Sequence, residues 1–212
     1  MSASKAPHLR VLFFLLTIIT WNSSLADSAV GIDAKISTLG AGFDITLPLS
    51  DRFNARLGIH RFDASYSLNE AGIDYDADLE LDSAGLFLDW HPFKGTFRVT
   101  VGYLANDNAI KGRATGNLTV GNNGYAGVDL RGTISFESGT YLGIGWGNTG
   151  TRGWALIADI GLLHQGSPDV TLRDETGTVS SADLDAEAAE LENELEDFDL
   201  YPVLGIGISY SF

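Results

Sequence analysis

The C-terminal end of the chain alternates regularly between hydrophobic and small residues. From Leu204 to Phe212, Leu, Ile, Tyr and Phe occupy the even-numbered positions, and Gly or Ser occupies the odd-numbered ones. Successive side chains of a strand point to opposite faces, so a period of two predicts a β-strand with one apolar face. A half-buried strand of a soluble β-sandwich has the same alternation, and that alternative stays open at this point.

The same alternation recurs in earlier segments. Its phase changes near Thr38 to Gly40, because the apolar residues before that point are even-numbered and those after it are odd-numbered. A one-residue change of phase needs a turn or a bulge, and a turn here separates two strands. The pattern then predicts eight strands, at about 29-37, 40-47, 52-62, 79-90, 96-106, 133-146, 154-163 and 201-212.

Two kinds of connection separate these strands. Short turns lie at 48–51, 91–95 and 147–153, whereas polar or acidic segments lie at about 63–78, 107–128 and 165–199. Short turns at one end and long loops at the other are typical of transmembrane β-barrels. We therefore predict an all-β chain that forms a single closed antiparallel transmembrane β-barrel of about eight strands.

The N-terminal segment has the pattern of an export signal. A short basic region precedes an apolar run at 11–20, and small residues follow at 24–26. A run of about ten residues is too short for a spanning helix, which needs about 20. We expect residues 1-26 to be a cleaved signal peptide and residues 27-212 to be the barrel domain.

Charge is concentrated in two segments of this acidic chain. The formal net charge is −15, with seven acidic residues in 63–82 and twelve in 169–199. Strands with little charge between acidic loops suit a membrane barrel better than an evenly solvated sandwich. The negative charge argues against nucleic acid as a partner. The chain has no Cys, so neither a disulfide nor a lipid-anchored cysteine is expected.

Aromatic residues lie near the ends of the predicted strands. Each is on the outward face, close to a short turn or to the C-terminus. Amphipathic rings prefer the headgroup level of a bilayer, so this position predicts an aromatic girdle. Its members are Phe53, Trp90, Phe97, Trp146, Trp154 and Phe212.

Five stretches carry a resemblance to known proteins: PLSDRFNARLG (48–58), LDWHPF (88–93), YLGIGWGN (141–148), QGSP (165–168) and YPVLGIGISYSF (201–212). In these the chain resembles the small eight-stranded outer-membrane barrels of the OmpA and OmpX type. It is most similar to a widespread set of uncharacterised bacterial barrel proteins. The resemblance implies an integral outer-membrane protein of a Gram-negative bacterium, which we expect to be a monomer with membrane lipid and lipopolysaccharide as its partners. It also implies that the barrel-insertion machinery reads the C-terminal strand.

The inward-facing positions of the strands carry many charged residues. An eight-stranded barrel is only wide enough for its own side chains, so charges inside it must pair. The expected ion-pair network of the lumen consists of Asp33, Lys35, Asp44, Arg56, His60, Asp89, Arg98 and Asp159. Such a plug favours a structural or cell-surface interaction role. A small passive, porin-like channel for ions or small solutes is the alternative.

Outside the lumen, the sequence gives little support for a catalytic or metal-binding site. His164 with Ser167 and Asp169 is the one cluster that would suit an outer-membrane lipid-modifying enzyme, but no catalytic signature surrounds it. We expect no enzyme, no cofactor and no dedicated metal centre. Alternating carboxylates form a rim that could hold a divalent cation, although an EF-hand is excluded because Gly and Glu are missing from its required positions. The rim residues are Asp74, Asp76, Asp78, Glu80 and Asp82.

One stretch has helical periodicity. Leu184, Ala188, Leu191, Leu195 and Phe198 recur at helical spacing within 182-198, and acidic residues cover the other faces. Ser180 precedes this stretch in the position of an N-cap. We predict an amphipathic helix in the last extracellular loop, where it either folds over the mouth of the barrel as a lid or meets a partner.

Overall fold

Eight of the strands close into a single antiparallel barrel. The computed structural model describes residues 29–70, 72–147 and 152–212. Around the barrel, each strand pairs with the next and the last pairs with the first. In that order they are β1 (Gly31–Ser37), β2 (Gly40–Ser50), β3 (Phe53–Glu70), β4 (Ile73–Trp90), β5 (Phe97–Asn106), β8 (Gly139–Trp146), β9 (Gly153–His164) and β11 (Leu200–Ser211).

The predicted change of phase near Thr38 is a turn. β1 ends at Ser37 and β2 begins at Gly40, and the two strands pair in register along their length. Gly40 has a φ of +108°, a conformation that residues with a Cβ rarely adopt. The eight-stranded count is thereby confirmed, because this turn divides the first alternating stretch into two strands.

The two ends of the barrel differ. At one, called here the turn end, β2 meets β3 and β4 meets β5 through short connections, and both β1 and β11 have their terminal residues there. At the other, called the loop end, β3 and β4 continue well past their neighbours. About the first ten residues of β4 lie beyond the barrel, where β4 pairs with β6 (Ala109–Val120) instead of β5.

These long strands begin a second structure, called here the extension. It is a sheet in which the far halves of β3 and β4 are followed by β6 (Ala109–Val120), β7 (Asn123–Ser135) and β10 (Asp169–Asp174). The helix α1 (Ser181–Glu194) packs on β10 and β6, and a 3₁₀ helix at Glu196–Asp199 leads into β11. Among the described residues, no helix is long and apolar enough to cross a membrane.

Two sequence predictions about this region were wrong. The segments 63–78 and 107–128 are largely strand rather than loop, because they continue or add to a paired sheet. The predicted strand 133-146 is two elements: residues up to Ser135 belong to β7, and the barrel strand starts at Gly139. Ile134 therefore lies opposite Ile110 and Val170 in the extension, not on the barrel wall.

Outside, the barrel carries a continuous apolar surface. The alternation places large hydrophobic side chains outward on every barrel strand, and Leu156, at 81% exposure, is the most open of them. Soluble monomers rarely expose contiguous apolar areas of this extent. Inside, the opposite parity places charged residues, and these form the candidate site.

Candidate functional site: the barrel interior

All eight residues of the expected lumen network are buried in the barrel. They come from six strands: β1 supplies Asp33 and Lys35, β3 supplies Arg56 and His60, and β2, β4, β5 and β9 each supply one. Their inward direction follows from the strand period, because each lies on the parity opposite to the outward hydrophobic residues. Buried charges are tolerated only when opposite charges and hydrogen bonds compensate them.

Arg56 joins two carboxylates from neighbouring strands. Its Nη1 donates to Asp44 at 2.8 Å, and its Nε and Nη2 donate to the two carboxylate oxygens of Asp89 at 3.0 and 3.2 Å. The two bonds to Asp89 form the bidentate arrangement that suits a planar guanidinium. Thr100 also donates to Asp89, at 2.6 Å. The carboxylate of Asp89 thus accepts three hydrogen bonds, two from Arg56 and one from Thr100.

Arg98 and Lys35 meet at a second carboxylate, Asp159. Arg98 Nη2 donates to one oxygen at 2.5 Å and Lys35 Nζ donates to the other at 2.9 Å. Lys35 Nζ also lies 2.5 Å from Asp44, which links this group to Arg56. Arg98 is only 1% exposed, and its Nη1 donates to the carbonyl of Gly147 at 2.8 Å. The ion pairs therefore form one connected layer across the barrel, called here the ionic layer.

His60 and Asp33 lie at the margin of the ionic layer. His60 Nε2 is 3.4 Å from Asp44, whereas its Nδ1 has no hydrogen-bond partner among the described residues. Asp33 accepts a hydrogen bond from Thr46 at 3.1 Å. With His60 neutral, four carboxylates face three permanent cations, so protonation of His60 would balance the charges of these eight residues.

Glycines opposite the charged side chains provide the space that they fill. A Cβ at Gly58 would collide with the carboxylate of Asp44, and a Cβ at Gly145 would collide with Asp159 and Arg98. The narrow lumen leaves no other room for such groups. The ionic layer therefore requires glycine at these inner positions, because a larger residue would collide with the charged side chains.

A second, apolar layer closes the barrel nearer the loop end. Phe87 and Tyr141 pack edge to face with ring centroids 5.5 Å apart, and the guanidinium of Arg56 lies 4.6 Å from the Phe87 ring centroid. This layer, called here the apolar layer, consists of Leu39, Phe87, Leu104, Tyr141, Leu163 and Val203. Sequence reasoning missed it. The signal was present, because these residues of β4, β5, β8, β9 and β11 have the inward parity of their strands.

Little space remains between the two layers. A cavity of about 20 Å³ is lined by Lys35, Arg56, His60 and Asp159 from the ionic layer and by residues of the apolar layer. A single water molecule needs about 10–15 Å³ measured in this way, so the cavity admits water and no larger solute. Charged side chains thus border this cavity on one side and hydrophobic side chains border it on the other.

The carboxylates of the predicted cation rim lie on one exposed face of the extension. Each is next to a polar or cationic side chain of a neighbouring strand: Asp76 accepts from Ser67 at 2.7 Å, and Glu80 accepts from Lys111 at 2.6 Å. In the part of the chain that the structure describes, no group of three or more His, Cys, Asp or Glu residues is arranged to hold a metal ion. The set Asp74, Asp76, Asp78, Glu80 and Asp82 is an exposed strand face beside cross-strand partners, and its role as a cation rim stays a prediction.

His164, the candidate catalytic histidine, ends β9 and is exposed. Its Nε2 lies 3.9 Å from Asp199, and among the described residues no hydrogen bond joins it to Ser167 or Asp169. A nucleophile and its base need to be within hydrogen-bond reach of each other. The predicted cluster therefore does not form a catalytic arrangement here.

The predicted girdle residues lie outward at the turn end. Phe97 packs against Trp146 with ring centroids 5.8 Å apart, and Phe53 lies opposite Trp90 in the β3–β4 register. Tyr210 belongs to the same set, because its ring centroid lies 4.9 Å from that of Trp154 and 5.0 Å from that of Phe212. The aromatic rings form a partial band around this end of the barrel.

Helix α1 is held to the extension by its first turn. Ser180 is the N-cap, as the sequence predicted, and accepts a hydrogen bond from the backbone N–H of Asp183. The carboxylate of Asp183 accepts hydrogen bonds from Tyr125, Ser180 and Asn123, and these bonds hold the pKa of Asp183 below its ordinary value of 3.8. Leu184 packs beside a small core of Leu118, Val120, Val128 and Val179. The helix is therefore part of the extension, and its contacts do not make it a lid on the barrel.

Similar folds occur among solved structures of outer-membrane proteins. The crystal structures of CarO and CarO2 from Acinetobacter baumannii each superpose with a TM-score of 0.59, at 23% and 20% identity. They cover 87% of this chain and 98% and 99% of their own. No protein-family model matches the chain, and no curated protein sequence matches it. At these identities the likeness establishes the fold, that of an outer-membrane β-barrel protein, and the particular OmpA and OmpX resemblance stays a prediction.

Proposed function

We propose that the chain is an integral outer-membrane protein of a Gram-negative bacterium whose barrel is a closed anchor and whose extension acts at the cell surface. The carrying observation is the interior, where an ionic layer and an apolar layer cross the lumen and the cavity between them measures about 20 Å³. A barrel that is filled in this way suits anchoring better than transport. The extension, by contrast, presents a large structured area beyond the loop end.

The orientation in the membrane follows from the same features. The apolar outer surface of the barrel suits contact with lipid, and the aromatic rings at the turn end suit the periplasmic interface. The extension then projects outside the cell, at the level of lipopolysaccharide. Within this proposal the barrel is monomeric, the C-terminal strand is what the insertion machinery reads, and the role is not catalytic.

A gel-mobility experiment tests the membrane-barrel part of the proposal. A closed barrel has no free sheet edge for SDS to attack, so the folded protein should migrate faster unheated than boiled. It should also fractionate with outer membranes after expression with its N-terminal segment. Equal mobility in both states, together with a water-soluble protein, would contradict the proposal.

A further inference from the structure

The face of the extension that continues the barrel interior is apolar and partly uncovered. This inner face carries the even-numbered residues of β3 and the odd-numbered residues of β4, which have the inward parity of the barrel. Phe62, Tyr66, Leu68 and Tyr75 lie on it with exposed fractions of 46, 66, 43 and 41%. Large apolar side chains that are exposed together on one sheet face are typical of an interaction surface.

Helix α1 covers mainly the other half of the inner face. Its largest sheet contacts are with β10 and β6, where Leu184 packs beside the small core. Of β4, Ile73 at the start of the strand packs against the same core, whereas Tyr66, Leu68 and Tyr75 stay exposed. The row that crosses the sheet between the two halves contains Ala77 opposite Gly112, and a Cβ added at Gly112 would meet open space. The strip of the inner face between α1 and the β3–β4 strands is therefore uncovered, and it is called here the groove.

The side of α1 that faces this groove is acidic. Glu192, on one flank of the helix, accepts a hydrogen bond from the backbone N–H of Val170 at the edge of the sheet. Residues spaced three and four apart share a helix face, so Glu187, Glu190 and Glu194 form the opposite flank. Glu187 accepts from the N–H of Gly121, in the turn between β6 and β7, whereas Glu192 lies at β10, so the opposite flank is on the side of the helix away from β10. The acidic flank and the apolar strands thus border the same groove.

We propose that this groove binds a cationic amphipathic helix of another protein, with its apolar face on Tyr66 and Tyr75 and its basic residues toward Glu190 and Glu194. The charges favour this occupant over a second copy of the chain. No basic residue follows Arg173, and the whole chain carries −15, so two copies would bring acidic flanks together. This inference rests on the proposed surface role of the extension, since it requires the groove to be accessible outside the membrane. Amphipathic helices that lie in apolar grooves are a common mode of recognition.

A binding measurement on the folded protein in nanodiscs of zwitterionic phosphatidylcholine tests the proposal. The probe is a fluorescein-labelled helical peptide of Leu and Lys, about 18 residues or five turns long. Its anisotropy should rise with the protein and stay unchanged with empty nanodiscs. A Leu and Glu peptide of the same pattern should not bind.

Variants assign the binding to the groove. Tyr66→Ser with Tyr75→Ser should weaken the peptide affinity by about tenfold or more, because exposed aromatic anchors dominate such interfaces. Glu190→Gln with Glu194→Gln should weaken it severalfold, mainly at low salt. The matched control is Asp76→Asn with Asp78→Asn, which removes the same charge from the opposite face of the same sheet and should leave the affinity unchanged.

Three results would overturn the proposal: no binding above empty nanodiscs, equal binding of the Leu and Glu peptide, or an equal loss of affinity in the control pair. Each variant is first checked for the gel-mobility shift of a folded barrel, because all four groove positions are exposed and should not affect folding. If that shift is present and binding is not, the partner class is wrong while the membrane-barrel proposal stands. If the shift is absent in the unaltered protein, the proposed function itself fails.

Discussion

The eight-stranded barrel and the five-stranded extension are stabilised by different kinds of contact. Inside the barrel, Arg56 and Arg98 are fully buried and each bridges strands through carboxylates. In the extension the corresponding pairs are exposed, as in the bidentate contact of Arg113 with Asp129 at 2.7–2.8 Å. The extension takes its stability from a small apolar core under α1 instead. We therefore expect loss of one partner to cost much more free energy of unfolding in a buried ion pair than in an exposed one, where water replaces the lost partner.

The largest expected effect is the loss of a buried cation. Arg98→Ala leaves the carboxylate of Asp159 with Lys35 as its remaining partner and removes the contact with Gly147. Breaking a buried pair typically costs about 3–5 kcal/mol. The matched control, Arg113→Ala, breaks an exposed pair and should cost within about 1 kcal/mol. Urea unfolding in lipid vesicles measures both, and equal costs would show that the interior is solvated.

A smaller effect is expected from filling the space that glycine leaves. In Gly143→Ala the new methyl would collide with the hydroxyl of Tyr141 and with the carbonyl of Ile160. Overpacking of this kind costs about 1–3 kcal/mol. In Gly112→Ala, on the extension, the methyl enters open space, and the change should stay within about 0.5 kcal/mol. The same unfolding measurement distinguishes them; a neutral Gly143→Ala would mean that the apolar layer is loosely packed.

The smallest effect is one of pH, and it is confined to the extension. Because the folded-state pKa of Asp183 is lowered below 3.8, its contribution is present above that value and is lost as the pH falls through the folded-state pKa. Acidification below about pH 4 should therefore raise hydrogen exchange in α1 before it does so in the barrel strands. In Asp183→Asn the exchange of α1 should be faster at neutral pH and lose this acid dependence. An unchanged α1 at low pH would contradict the prediction.

The period-two alternation was sufficient to predict the barrel, because inward and outward residues differ in chemistry on every barrel strand. The turn at Thr38 could be found from parity alone. The same rule placed Arg56 and Asp89 inside, although which carboxylate meets which cation depends on register and could not be read from the chain. Strand pairing between distant segments is a three-dimensional property.

The extension was predicted poorly for a physical reason. Its strands have polar residues on one face and small or aromatic residues on the other, and the segment 107–128 contains many Gly, Asn and Thr residues typical of loops. Such strands are stable only because β4 provides a paired edge for β6. The apolar layer was not predicted for another reason: Phe87 and Tyr141 have inward parity, but periodicity does not show where along the lumen polar residues give way to apolar ones.

Conductance of the refolded protein in planar bilayers is the most direct measurement of whether the barrel is closed. The ionic layer and the apolar layer both cross the lumen and the cavity between them measures about 20 Å³, so we expect the unaltered protein to give no steady current. Arg98→Ala should give small leak currents at most, because the apolar layer remains above the gap. Steady conductance of the unaltered protein at neutral pH would contradict a closed interior and make a passive channel the better description.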